Sequence, residues 1–122
     1  MNAYRFSPEI YRDYERLQQT VVITLVRMIR STKGSMLTFN AKKIAVLAGL
    51  PTHPVVLTLI KEVIEKLREE GLVRRVSRTT HGVKYSVSKD SPLWPLAKLD
   101  EAPLSLDALV AKVRTPASRG VI

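Results

Sequence analysis

The chain has 122 residues, enough for one domain with an arm or a tail, and its 45% hydrophobic and 25% charged content is that of a folded protein. Twenty Lys and Arg against eleven Asp and Glu leave a net charge of +9, which points to a polyanionic partner, either nucleic acid or an anionic membrane surface. No cysteine is present, which excludes disulfides, thiol nucleophiles and Cys-based zinc sites, and two histidines, His53 and His81, are too few for a His-rich metal site.

Met1 to Pro8 is polar and aromatic, not the apolar run behind basic residues that a signal peptide requires. Ser7-Pro8-Glu9 reads as a helix start, with Ser as N-cap, Pro at the first helical position and an acid in the first turn. Ile10, Tyr14, Leu17, Val21, Leu25 and Met28 then form one stripe along a helix expected to reach about Arg30. Its first half is polar and aromatic, as befits an arm, and only Thr20 to Ile29 is densely apolar. Ser31 to Gly34 ends the helix, and Ser35 to Phe39 is expected to be extended.

Asn40 caps a second expected helix, Ala41 to Ala48, with Ile44, Ala45 and Leu47 facing inward and Gly49 stopping it in the left-handed conformation. Thr52 opens a third, with Pro54 in its first turn. Val56, Leu57, Ile60, Val63, Ile64 and Leu67 fall on one side of it; Thr58, Lys61, Glu62, Glu65 and Glu69 fall on the other. The longest uncharged stretch, Ile44 to Ile60, is interrupted by Gly49, Pro51, Thr52, His53 and Pro54, so it cannot cross a bilayer as one helix. The expectation is a soluble, cytoplasmic protein without a membrane partner.

After Gly71 the apolar period changes from 3.6 to 2. Leu72 to Thr80 and Val83 to Ser88 read as a β-hairpin turning at His81-Gly82, which would set Val76 opposite Val87 and Arg78 opposite Tyr85. Asp90 to Pro95 breaks the strand, a short apolar stretch runs to Leu99, and Ser105 is placed to cap a final helix ending near Arg114. The expected fold is mainly α with a small β-hairpin. It divides into an arm over residues 1–19, a domain over 20–89 and a C-terminal helical segment over 90–122.

Helix, short strand, helix, tight turn, helix and hairpin is the element order of the winged helix-turn-helix family. The stretch KIAVLAGLP, Lys43 to Pro51, resembles that family's second helix and turn, and IEKLREEGLVRR, Ile64 to Arg75, is similar to the end of its third helix and the first wing strand. The resemblance covers residues 20–89 and implies a double-stranded DNA partner. The chain departs from a compact member by about five extra residues between the turn and Gly71. It also departs in the acidic face of the third helix, which predicts weak sequence preference.

Charge by region locates the expected contact. Residues 71–89 carry five basic residues and no acid, whereas 35–70 carry five bases and four acids, and 90–122 carry four of each. Arg74, Arg75, Arg78 and Lys84, with His81 at the tip, suit phosphate contact or entry into a minor groove. The resemblance adds Lys42 and Lys43 as backbone contacts and Thr58 and Lys61 as base readers. Tyr11, Tyr14, Leu17, Leu93, Trp94, Leu106 and Leu109 are the expected surface of a homodimer.

No phosphate-cradling glycine loop or metalloprotease motif is present, so neither an enzyme nor a cofactor is expected. The reading is of a transcriptional regulator or chromatin-associated protein at the nucleoid. Abundant Val, Leu and Arg with little Asn and Gln is compatible with a thermophilic source. An alternative is a winged-helix interaction module in a larger assembly with a protein partner, motivated by Val55 and Leu59 beside the acidic face. A single-strand or RNA binder acting through the Tyr4, Phe6, Tyr11 and Tyr14 cluster is a third option.

Overall fold

The computed structural model describes residues 8–80, 82–99 and 101–113, with side chains from residue 13 onward. The expected Ser7 cap, Tyr4, Phe6, His81 and Arg114 lie outside the described residues, as do the side chains of Ile10 and Tyr11. The elements run α1 (Pro8–Ser31), β1 (Met36–Phe39), α2 (Ala41–Ala48), α3 (Pro54–Glu69), β2 (Arg74–Thr79), β3 (Gly82–Ser88), α4 (Leu93–Ala97) and α5 (Leu106–Val113). The result is a mixed α+β domain. Among the described residues no helix is long and apolar enough to cross a membrane.

The second half of α1 enters the core, burying Val21, Val22, Leu25, Val26 and Ile29, while the polar half runs out along the surface. Thr24 is buried as well, its hydroxyl donating to the Thr20 carbonyl at 2.7 Å, so a polar residue on this face leaves no unmatched group. Asn40 caps α2 as expected, its Oδ1 accepting from the Lys43 amide at 2.8 Å. Gly49 takes φ +74°, and the Leu50 amide then reaches back to the Ala45 carbonyl at 2.8 Å, which closes the helix end. Ile44 and Ala45 are buried, but Leu47 is 56% exposed and does not face inward. An eight-residue helix buries a narrow stripe, and Ile44 and Ala45 already fill it.

The third helix starts slightly later than expected: His53 occupies the N-cap without a side-chain hydrogen bond, and Pro54 is the first helical residue. The stretch between the turn and Gly71 is therefore mostly helix, with α3 taking 16 residues of it. Ile60, Val63, Ile64 and Leu67 are fully buried against α1 and α2.

The strands form one antiparallel sheet in the order β1-β3-β2, with β3 central. Its residues Val83, Tyr85 and Val87 alternate into the core, and the Tyr85 ring stacks on Phe39 at 5.9 Å between centroids. The expected hairpin register is corrected. The closing pair is Thr79 with Gly82, so the turn falls one residue earlier, and Arg75, not Arg78, lies opposite Tyr85. Gly82 takes φ +115°, a backbone conformation that suits glycine at the start of β3. Between Arg75 and Ser77 the ladder slips, leaving Val76 as an extra residue, 53% exposed, instead of facing Val87.

The C-terminal segment closes the core. The Ser91 hydroxyl donates to the Leu72 carbonyl at 2.6 Å and accepts from the Leu93 amide at 3.1 Å, turning the chain from β3 into α4. Leu93, Trp94 and Ala97 from α4, and Leu106 and Leu109 from α5, are buried in the same cluster as the α1 residues. Ser105 caps α5, its hydroxyl accepting from the Ala108 amide at 3.1 Å.

Candidate nucleic-acid interface

Three elements meet at one side of the molecule: the N-terminal end of α2, the first half of α3 and the tip of the hairpin. Between them lies a shallow cavity of about 270 Å³ lined by Asn40, Lys42, Leu57, Thr58, Lys61, Arg78, Thr79 and Tyr85, among others. A second, of about 250 Å³, adjoins it across Asn40, Thr79, Gly82 and Val83 and adds Lys43 and Lys84. Six of the nine expected contact residues, Lys42, Lys43, Thr58, Lys61, Arg78 and Lys84, are thus brought together from three segments. Among the described residues no acid lines either cavity. The positive end of the α2 dipole opens onto the same place and adds to the field of the cations.

The remaining three separate from this group. Arg74 sits at the opposite end of the hairpin, in a hollow lined by Ser86, Ser88, Ser91 and the acid Asp90. Arg75 is engaged by the chain itself, its guanidinium donating to Glu65 at 3.0 Å. His81 lies outside the described residues.

Glu65 is the functional surprise of α3. In the sequence it looks like one of several surface carboxylates interleaved with lysines. In the fold its side chain is only 19% exposed and holds three donors: Tyr85 Oη at 2.5 Å, Arg68 Nε at 2.6 Å and Arg75 at 3.0 Å. Burial by itself raises the Glu65 carboxyl, but hydrogen bonds from Tyr85, Arg68 and Arg75 outweigh it and hold the group at about 2. Tyr85 is pushed above its usual range by burial and by its bond to Glu65. Arg68 is pushed up by its hydrogen bond and charge pairing with Glu65. One carboxylate therefore pins the base of the hairpin to α3 and sets the separation at which the tip stands from the helix. The signal available in the sequence was faint: a Tyr on the inward face of a strand needs a partner for its hydroxyl.

The surface expected to pair two copies is largely internal. Leu93 is fully buried, and Trp94, Leu106 and Leu109 are at most 7% exposed, so the chain covers its own tail instead of offering it to a second copy. Tyr14 and Leu17 are half-buried, and the Tyr14 hydroxyl accepts from Lys66 Nζ of the same chain at 3.2 Å. α4 packs on α1 and β3, and α5 packs on α1, which is how these tail residues join the core.

Among the described residues no group of three or more His, Asp or Glu is gathered as a metal site would require. Protein-family models, curated proteins and solved structures give no match to this chain.

Proposed function

We propose that this is a winged helix-turn-helix protein that binds double-stranded DNA, with α2 and α3 as the helix pair and the β2–β3 hairpin as the wing. The observation that carries the reading is a pair of adjoining hollows with no acid among their described lining residues: Lys42, Lys61 and Arg78 line the first beside Thr58, and Lys43 and Lys84 line the second. Five cations drawn from three elements, with no acid among the described residues lining the hollows between them, suit a polyanion better than a small neutral ligand. Thr58, exposed, and Lys61, half-buried, line the cleft from α3, and in this reading they are the residues that meet the base edges. The role that follows is a transcriptional regulator or a chromatin-associated protein, not an enzyme.

The test is a salt titration of binding to a random-sequence duplex and to the matching single strand. Duplex affinity is expected to fall with a log–log slope of roughly −4, the value for four to five neutralised phosphates, with weaker binding to the single strand. Absence of binding to either form at low salt would overturn the proposal. A second reading, an interaction module, draws on the exposure of Val46 and Leu47 on α2, at 60% and 56%. A stoichiometric protein partner retained on purification, without DNA, would select it.

A further inference from the structure

Among the described residues the most exposed large aliphatic side chain is Val55, 71% exposed in the first turn of α3. Positions 55, 58 and 62 follow one another along the helix at spacings of three and four, on the side opposite the buried Ile60, Val63, Ile64 and Leu67. Thr58, the next residue on that side, lines the cation-rich cleft together with Lys42, Lys61 and Arg78. Val55 thus lies one turn before Thr58 on the same side of the helix, next to a residue that lines the cation-rich cleft, with Glu62 one turn further on.

Charge decides which part of the helix approaches. The first turn of α3 carries no acid, and Glu62, Glu65 and Glu69 all come after Lys61. A phosphate backbone is repelled by the second half of the helix and tolerated by the first two turns, so the helix would enter a major groove by its N-terminal end. Val55 has no hydrogen-bonding group, and Thr58 offers a methyl beside its hydroxyl. Of the groups that bases show in the major groove, the thymine 5-methyl is the one such side chains match; the others are polar donors and acceptors, which lose water on contact with Val55 and gain nothing.

We infer that Val55 and Thr58 form a thymine-methyl reader, giving the protein a preference for A·T pairs at the positions that face the start of α3. The inference rests on the DNA-binding reading above. It supplies a specificity where hydrogen-bonding residues for base readout are scarce.

The experiment compares the full chain on an alternating dA·dT duplex and on the same duplex with deoxyuridine in place of thymidine, which removes the methyl groups and leaves base pairing intact. Affinity is expected to fall roughly fourfold for each methyl lost from contact, the equivalent of about 0.8 kcal/mol. Val55→Ser should shrink that difference, whereas Leu104→Ser, an exposed apolar position outside the cleft, should keep it. Circular dichroism of each variant checks that the fold is kept. Equal affinity of the wild-type chain for the thymidine and deoxyuridine duplexes overturns the methyl reader while leaving DNA binding in place. Failure to bind either duplex at low salt overturns both.

Discussion

The two ends of the basic hairpin use the same kind of residue for opposite purposes. At its base, Arg75 donates to Glu65 and shares that carboxylate with Arg68 and Tyr85, so its charge is matched inside the protein. Three residues on, Arg78 lines a cleft with Lys42 and Lys61 and no acid. The lesson is that a run of basic residues is not a uniform field. The base of the hairpin is a structural joint and the tip is the surface available to an anion; what separates them is whether a helix carboxylate comes within reach.

The sharpest way to break that distinction is at the joint. Glu65→Gln removes the charge that three donors share and should destabilise the fold by about 2 kcal/mol in urea unfolding, because charge-assisted hydrogen bonds are replaced by weaker neutral ones. The same group makes a pH prediction. Its folded carboxyl lies at about 2, below the ordinary 4.5, so its contribution to stability is complete above pH 4.5 and is lost as pH falls from there toward 2. Wild type should lose more stability than Glu65→Gln across that window; parallel curves would show that the carboxylate is not held as described.

At the tip, Arg78→Ala should weaken duplex binding by about five- to tenfold at moderate salt and make the salt slope shallower by about one unit, with the unfolding midpoint unchanged. A slope that stays the same would take Arg78 out of the interface. Tyr85→Phe keeps the ring stacked on Phe39 but deletes one of the Glu65 donors, and about 1 kcal/mol of stability should go with it. The smallest effect is expected for Arg75→Ala. Its side chain is 46% exposed, so its ion pair contributes about 0.5 kcal/mol, and the salt slope should hardly move. If Arg75→Ala instead changes the slope as much as Arg78→Ala, the division between joint and tip fails.

Much of the chain was legible from local pattern. The stripe of α1, the Asn40 cap, the left-handed stop at Gly49 and the four buried residues of α3 follow from spacing and backbone preference, which act over a few residues. Leu47 departs from its expected place because a short helix offers several apolar residues for a narrow contact, and only its neighbours decide which are covered. The hairpin register is not legible in the sequence, because a slip of one residue depends on where Gly82 and the bulge at Val76 sit, and alternation of side chains is equally regular in either register.

The composition and order of residues by themselves determined a basic, cysteine-free α+β domain and put five bases and no acid between residues 71 and 89. Tertiary structure alone decided which of those bases face outward together with Lys42, Lys43 and Lys61. It alone revealed that Glu65 is the hairpin's anchor, and that the tail residues Leu93, Trp94, Leu106 and Leu109 close the chain's own core. The physical reason is range. Helix caps, turns and periodicity are settled between neighbours in sequence, whereas pairing a charge or covering an apolar face requires groups that only the folded chain brings within a few ångströms.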